Sequence, residues 1–367
     1  MKPKSPTILL LIIPFILAAC LTSTTQVPTT TILDSPDSYA PITNPELAFL
    51  AQPQGTLRLM SFNVGWDSIF PDDDPLNDPF RIADRSEAYT RILRAIQPQV
   101  ICFQEINPRR DPGQVQDLLD RVLPLGEGRK WQTHSGGDNV IAAAFDLELT
   151  DSAIVQGNPI TGRGHAMALV DLPDVAFSQD IYLVCPHFKS QGGQSNINAR
   201  QAHADALVAW IRDMQTPGGE IDLPYGTPFS ILGDLNVYDT DPAYHLVTLL
   251  EGDIINEAKF GLDLAPDWDG TPLVDALPQH NGDGAEIYTW RDDTQEFNPG
   301  VLDHIIYSDS VIQVENSFVL NTMALSPGAL AAAGLQAEDV MLEAEVGNYD
   351  HLPLVVDISF KIIADNP

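Results

Sequence analysis

Short apolar runs, each ending in a polar or ionisable group, constrain this chain more than any other feature. Residues 57–64, 100–106, 181–188 and 229–235 are such runs, and stretches of helical spacing lie between them. That alternation specifies a mixed α/β domain. Tyr89, Ile92, Leu93 and Ile96 recur every three or four residues, which predicts a helix over Ser86–Ile96 that stops before Pro98. Ala202, Ala206, Leu207, Trp210 and Ile211 repeat the pattern over residues 199–214, closed by Pro217-Gly218-Gly219. No repeat of solenoid period is present. An apolar content of 44% in 367 residues excludes a disordered acidic tail, although 51 Asp+Glu face only 19 Lys+Arg. The formal charge of −32 repels phosphate backbones, so nucleic acid is disfavoured as a tight non-specific partner while staying open as a substrate.

The chain starts with Lys2 and Lys4 before an apolar run over residues 8–17, too short to span a bilayer and therefore read as an export signal. Leu17-Ala18-Ala19-Cys20 resembles the lipobox of bacterial lipoproteins, in which cleavage before the Cys leaves a thiol that carries diacylglycerol. The expected organisation is a lipoprotein signal peptide over residues 1–19, a Thr/Pro-rich tether over 20–55 and a folded domain over 56–361. Lipid on Cys20 would make a membrane the partner of this end and place the protein outside the cytoplasm. Three cysteines cannot form a disulfide scaffold. Cys102 and Cys185, inside apolar runs, are expected as small buried apolar residues rather than a bonded pair.

The ends of the runs carry the chemistry. Met60-Ser61-Phe62-Asn63 puts an amide where it can ligate a metal or cap a turn. Phe103-Gln104-Glu105 puts a carboxylate at the rim of a buried strand, costly unless paired or metal-bound. Cys185-Pro186-His187-Phe188 does the same with an imidazole, which alone reads more readily as structural. In Gly233-Asp234-Leu235-Asn236 the glycine permits close backbone approach, and Asp234 and Asn236 face the same way at period two. Asp303 lies inside the apolar run 301–307, and Asp350-His351 precedes the last strand. His304 points to the opposite face from Asp303 and is left out of the site.

In this order the segments SFN, QE, PHFKS, GDLN, LDH and YDHLP resemble the endonuclease/exonuclease/phosphatase superfamily, over about residues 57–360. The resemblance implies a four-layer α/β sandwich, two packed mixed β-sheets flanked by helices, with the site at one sheet edge. It implies Glu105 as main ligand of a divalent metal, with Asn63 and Asp350 beside it. It also implies a catalytic set of His187, Asp234, Asn236, Asp303 and His351. Asp303 would hold the tautomer of His351, and Asp234 and Asn236 would position a water and a phosphoryl oxygen. Either Asp234 or His351 could take the water's proton; His351 is the first choice, with His187 as acid or phosphate stabiliser. Hard oxygen ligands suit Mg²⁺ most, then Mn²⁺ or Ca²⁺. The expected function is metal-dependent hydrolysis of a phosphoester, whether nucleic acid, phospholipid headgroup or small phosphorylated metabolite. A surface-anchored binding module on the same fold is the alternative, though such relatives usually lose acid or His positions that are all present here.

Two departures stand out: Val301 where the family often has Arg, and Tyr349 where Ser is common. Residues 323–347 resemble an insertion, either a helix shielding the site or a surface excursion, and the excursion is the first choice. Asp72-Asp73-Asp74 lacks the spacing of a calcium loop and is expected as a solvated loop. Lys189, Arg200, Arg291 and Arg163 are the cations near these segments that could meet a phosphate.

Overall fold

The computed structural model describes residues 42–74, 76, 81–151, 164–237 and 244–361; the signal peptide, Cys20 and Arg163 lie outside them. In chain order the strands are β1 (Leu57–Asn63), β2 (Val100–Gln104), β3 (Gln132–Gly136), β4 (Asn139–Ala143), β5 (Asp146–Asp151), β6 (His165–Asp171) and β7 (Ile181–Pro186). They continue with β8 (Phe229–Asp234), β9 (Val274–Asp275), β10 (Trp290–Arg291), β11 (Asp303–Tyr307), β12 (Ile312–Val319), β13 (Asp350–His351) and β14 (Leu354–Phe360). One six-stranded sheet runs β12-β14-β1-β2-β4-β3 and the other β5-β6-β7-β8-β11-β9, with β10-β13 a short pair apart from both. Both sheets are mixed, as expected. Each has one parallel pair, β1 with β2 and β7 with β8.

A parallel pair needs a crossover, and here each crossover contains a helix. α1 (Ser86–Ile96) joins β1 to β2 with the bounds its spacing predicts, ending on Gln97 in the left-handed region (φ 54°). Tyr89 on its inner face meets Phe62 of β1 at 5.0 Å between ring centres. α2 (Pro112–Val122) is capped by Asp111, whose side chain accepts from the Gly113 N–H, and buries Val115, Leu118, Leu119 and Val122. α3 (Gln194–Gln215) joins β7 to β8 and starts five residues before the periodicity does, so Asn196, Asn198 and Arg200 lie in its first turns. The second sheet alternates strictly. Leu183, Cys185, Leu232 and Ile305 face the first sheet, while Tyr182, Val184, Ile231 and Ile306 pack with Leu207, Trp210 and Ile211 of α3. The layers are thus helix, sheet, sheet, helix.

Three expectations are corrected. The tether does not extend to residue 55: Pro45–Leu50 forms a 3₁₀ turn whose Leu47, Phe49 and Leu50 are buried. Phe49 packs on Phe318 of β12 at 5.0 Å, because the sheet would otherwise leave that ring in water. Residues 323–347 are not a surface excursion; Leu325, Ala329, Leu330, Leu335 and Val340 join the main core, and Asp339 takes a two-pronged hydrogen bond from Arg91 of α1. Finally, Cys102 and Cys185 form a disulfide, with Cα atoms 5.7 Å apart. They are buried as expected, but they meet across the two sheets. The triple-Asp loop is exposed at Asp72 and Asp73, as expected, while Asp74 accepts from Arg110 Nη1 at 3.2 Å.

One buried ion pair ties the first sheet together. Arg58 and Asp357 are direct partners on β1 and β14, joined at 2.6 and 2.7 Å, and Arg58 Nη1 also donates to the carbonyls of Leu50 and Ile96. Removing one member leaves a charge without its partner in the core, which costs about 3–5 kcal/mol. Asp357→Ala is therefore expected to lower unfolding free energy by about that amount, read as a fall in the urea midpoint at unchanged slope.

Candidate active site

The parallel pairs bring the C-terminal ends of β1 and β2 beside those of β7 and β8, and the polar groups that end these strands converge. Asp234 is central. Its Oδ1 accepts from the Asn236 N–H at 2.9 Å and its Oδ2 from Asn63 Nδ2 at 3.1 Å. His187 Nε2 lies 3.3 Å and His351 Nε2 3.6 Å from the same Oδ2. Each ring is held from behind: His187 Nδ1 is 2.9 Å from Asp138 Oδ2, and His351 Nδ1 is 2.7 Å from Asp303 Oδ2. A carboxylate at Nδ1 makes that nitrogen an N–H donor, so both rings turn Nε2 toward Asp234.

Glu105 and Asp350 stand at the mouth. Their side chains are 25% and 24% exposed, whereas those of His187 and Asp234 are 0% and 1%, so the acids are the groups that solvent reaches. Glu105 Oε2 accepts from the Trp66 N–H at 3.0 Å, and its Oε1 is 3.9 Å from His187 Nε2. Asp350 Oδ1 is 3.9 Å from His351 Nε2. Asn63 Oδ1 accepts from the Gly65 N–H at 3.0 Å and shapes the turn that touches all three; a Cβ on Gly65 would meet Asp350 Oδ2 at 3.3 Å and Leu342 at 2.9 Å. Asn236 Nδ2 donates to the Phe188 carbonyl at 3.3 Å, which links the loop after β8 to the loop after β7. Glu105 (φ 64°), Asn236 (φ 50°) and Asp350 (φ 138°) all adopt backbone that side-chain-bearing residues avoid. Such conformations cost about 1–3 kcal/mol each and persist where surroundings over-determine them.

The electrostatics follow from crowding acids. Burial works against a charged His351, but Asp303, Asp234 and Asp350 outweigh it and hold the imidazole well above its ordinary range. Burial, with Asp234 nearby, raises Asp303 despite its bond to His351. Burial is also the main cause that lifts Asp350 to about 6, against the opposing pull of His351, with Glu105 and Asp234 adding to the rise.

Comparison with known protein families matches residues 60–322 to the Endonuclease/Exonuclease/phosphatase family. The chain belongs to that family. No curated protein matches it. Among solved structures it is similar to an endonuclease/exonuclease/phosphatase from Bacteroides vulgatus (16% identity, 83% of this chain and 99% of that one, TM-score 0.50). It is also similar to TDP2 from Caenorhabditis elegans (14%, 85% and 77%, TM-score 0.50) and to ANGEL2, a 2′,3′-cyclic phosphatase in complex with adenosine-2′,3′-vanadate (14%, 84% and 96%, TM-score 0.50). At these identities the likeness is one of fold, the α/β sandwich described above. The family match ends before Asp350-His351, which the pairing of β13 with β10 carries into the site.

Every site residue expected from sequence lies in this cluster. Two supporting residues were missed. Asp138 sits in the Gly136-Gly137-Asp138-Asn139 turn, where an acid reads simply as a turn former; only the fold brings it behind His187. Thr289 Oγ1 accepts the N–H groups of Leu302 and Asp303 at 3.0 and 2.9 Å, and its carbonyl accepts from the Leu352 N–H at 2.7 Å, so it pins both halves of the Asp303–His351 pair. His304 does face away, bonded through Nδ1 to Asp275 at 2.6 Å. Asp234, Asp303 and His351 form a buried group whose ligand atoms lie within 4.8 Å of one another and which could hold a metal ion. In this family member, however, Asp303 Oδ2 is engaged by His351 Nδ1, while Glu105, Asp350 and the Asn63 amide offer hard oxygens at the open side. A carboxylate raised by burial and, to a lesser extent, by acidic neighbours exchanges a proton for a cation readily, so the donor set fits a divalent ion.

The Asp350 shift has a sign. A carboxyl that titrates near 6 when folded and near about 3.9 when unfolded binds more protons in the native state, so stability falls as pH rises between those values and stays lower above them. Asp350→Asn is expected to stabilise the metal-free protein at pH about 7.5 by on the order of 1–3 kcal/mol, with no gain at pH about 3.5. Thermal melts in EDTA at the two pH values would test this; Mg²⁺ should then raise the melting temperature of the wild type more than that of the variant.

Proposed function

We propose that the protein is a phosphoester hydrolase that works with a divalent cation, Mg²⁺ before Mn²⁺ or Ca²⁺, and that it is exported and anchored by lipid on Cys20. One observation carries the catalytic part. Two imidazoles from opposite sides of the sandwich, each backed by a buried acid, face one carboxylate oxygen behind an open acidic mouth. Phosphoester hydrolysis requires an aimed water, donors to the phosphoryl oxygens and a proton for the leaving oxygen.

Asp234 is suited to accept the hydrogen of that water, since Asn63 and the Asn236 N–H hold it as a fixed acceptor. His351, backed at Nδ1 by Asp303 and with Nε2 turned toward the site, is suited to donate to a phosphoryl oxygen, which leaves the role of base to Asp234. His187, with Nδ1 on Asp138, presents Nε2 from the other side to the leaving oxygen. Glu105 and Asp350, with Asn63 beside them, would hold the cation. When bound, it supplies charge neutralisation for the substrate's phosphoryl oxygens.

A small phosphodiester or lipid headgroup suits the site better than long nucleic acid. The cations that could have tracked a backbone have internal duties: Arg200 is buried and donates to the carbonyls of Lys189 and Gln191 at 2.7 and 2.9 Å, and Arg291 is bound to Asp293 at 2.7 Å while lying over the Tyr349 ring. A formal charge of −32 opposes the gathering of a polyanion. Export is supported by the lipobox-like Leu17-Ala18-Ala19-Cys20 and by the Cys102–Cys185 bridge, since such bonds persist in oxidising compartments.

The expected result with Mg²⁺ or Mn²⁺ is release of p-nitrophenol from bis-p-nitrophenyl phosphate that EDTA abolishes. Glu105→Ala, Asp234→Asn and His351→Ala should each lower it by about 10²-fold or more. Sphingomyelin, inositol phosphates and plasmid DNA assayed beside it would rank the substrates, DNA last. Turnover untouched by EDTA would remove the metal from the reading, and no turnover on any of these would remove the hydrolase. Cys20→Ser is expected to move the protein from the membrane to the soluble fraction; unchanged membrane retention would contradict the anchor.

A further inference from the structure

The proposed site is divided between two sheets whose mutual packing is apolar. Asn63 ends one strand of the first sheet, Glu105 follows another, and Asp138 lies in the turn between two others; Asp234 and Asp303 are in strands of the second sheet and His187 directly follows one. The hydrogen bonds that assemble the site therefore cross between sheets: Asn63 Nδ2 to Asp234 Oδ2 at 3.1 Å, and His187 Nδ1 to Asp138 Oδ2 at 2.9 Å. Apolar burial is non-directional. It resists separation of the sheets far better than it resists a sideways slip of a fraction of an ångström, yet such a slip is enough to break these bonds.

The Cys102–Cys185 bridge lies where a slip would matter most. Cys102 is three residues before Glu105 on β2, and Cys185 two residues before His187 on β7. Among the described residues it is the side-chain covalent link between the sheets, and its ends are 83 positions apart in sequence. Gln104, wholly buried, packs its amide against both sulfurs, with Nε2 3.3 Å from Cys102 Sγ and 3.5 Å from Cys185 Sγ, and donates to the Cys102 carbonyl at 3.0 Å. The residue that joins the bridge to Glu105 is thus itself locked to it. Below the mouth, the bridge spans the same gap that His187 and Glu105 span above it, where Nε2 and Oε1 stand 3.9 Å apart.

We propose that the Cys102–Cys185 bridge is a positioning element of the active site, a strut that fixes the lateral register of the two sheets and so the spacing of Glu105 and His187. The inference rests on the hydrolase reading above. Cutting the strut requires a thiol reductant: a dithiol gives two electrons and two protons, the S–S bond breaks, Cys102 and Cys185 become thiols, and the dithiol leaves as its cyclic disulfide. A displacement of about 1 Å between reacting groups can cost up to about 10²-fold in rate, so the cut protein should stay folded and turn over slowly.

The test begins with full-length protein denatured and alkylated without reductant, where neither Cys102 nor Cys185 should gain mass; alkylation of both would overturn the strut. The C102A/C185V pair, which keeps the space filled with apolar atoms, is then compared with wild type well below both melting temperatures. kcat on bis-p-nitrophenyl phosphate with Mn²⁺ should fall about tenfold or more with KM within about twofold, and amide hydrogen exchange should rise at residues 104–106 and 186–188. A folded variant with wild-type kcat and unchanged exchange would overturn the proposal. If the pair does not fold, wild type reduced with dithiothreitol and then reoxidised in air replaces it, and kcat must fall and return. Wild type without turnover would instead count against the hydrolase reading, and the strut would then be judged on exchange alone.

Discussion

The site closes on a single carboxylate oxygen. Asp234 Oδ2 takes a hydrogen bond from Asn63 across the sandwich and has the Nε2 atoms of His187 and His351 at 3.3 and 3.6 Å. These groups start from four separate strand ends, so their meeting depends on the relative placement of two sheets rather than on any one loop. The parallel pairing of β1 with β2 and of β7 with β8 fixes the neighbours, setting Asn63 beside Gln104 and His187 beside Asp234. A Cβ at Gly233 would collide with the Pro186 carbonyl, so the close approach of β8 to β7 depends on a residue without a side chain. The left-handed backbone of Glu105 and Asn236 then turns the chain away at the strand ends while leaving the functional groups behind.

That construction concentrates negative charge. Asp234, Asp303, Asp350, Glu105 and Asp138 lie within one small volume, and the two histidines do not neutralise them. The protein's answer is unequal burial. Asp138 and Asp303 are spent on fixing imidazole tautomers, Asp234 is held by amides, and only Glu105 and Asp350 keep substantial contact with solvent. A site of this kind selects its ligands by sign before shape: it repels a bare phosphate and admits one that arrives with, or meets, a cation. The overall acidity of the chain, which would handicap a protein that tracks a nucleic acid backbone, is compatible with the proposed site, whose electrostatic attraction would be local and mediated by a metal.

Much of this could be read from the chain because each chemical residue ends a strand, where polarity inside an apolar run is conspicuous. Asn63, Glu105, His187, Asp234 and Asp303 were all legible for that reason, and α1 because Tyr89, Ile92, Leu93 and Ile96 keep helical spacing up to Pro98. What escaped is what depends on distance in sequence. Asp138 is 49 residues from His187 and looks like any acid in a glycine turn. Cys102 and Cys185 each read correctly as buried, but their meeting is decided by which strand faces which across the sandwich, and periodicity holds no information on that. Leu47, Phe49 and Leu50 form too short a run to register against a Thr- and Pro-rich background, though burying them against β12 outweighs the cost of ordering them. Residues 323–347, Ala-rich and acidic, looked like surface until Arg91 gave Asp339 a partner and α1 gave Val340 a face.

The N-terminal turn and the disulfide bear on one another. On the proposed lipid anchor, a pull from the membrane reaches the domain directly only if the residues just before β1 are part of the core. Here they are: the Leu50 carbonyl accepts from Arg58 Nη1, Arg58 is locked to Asp357 of β14, and the Phe49 carbonyl accepts from Asn316 of β12. Any pull therefore enters the first sheet at β1, β12 and β14, the sheet that carries Glu105 and Asn63. The second sheet, with His187, Asp234 and Asp303, follows through the sheet interface and through chain connections such as β4 to β5 and β11 to β12. A covalent link between β2 and β7 would make the two sheets move as one body, which a divided site requires of a domain anchored in the proposed way.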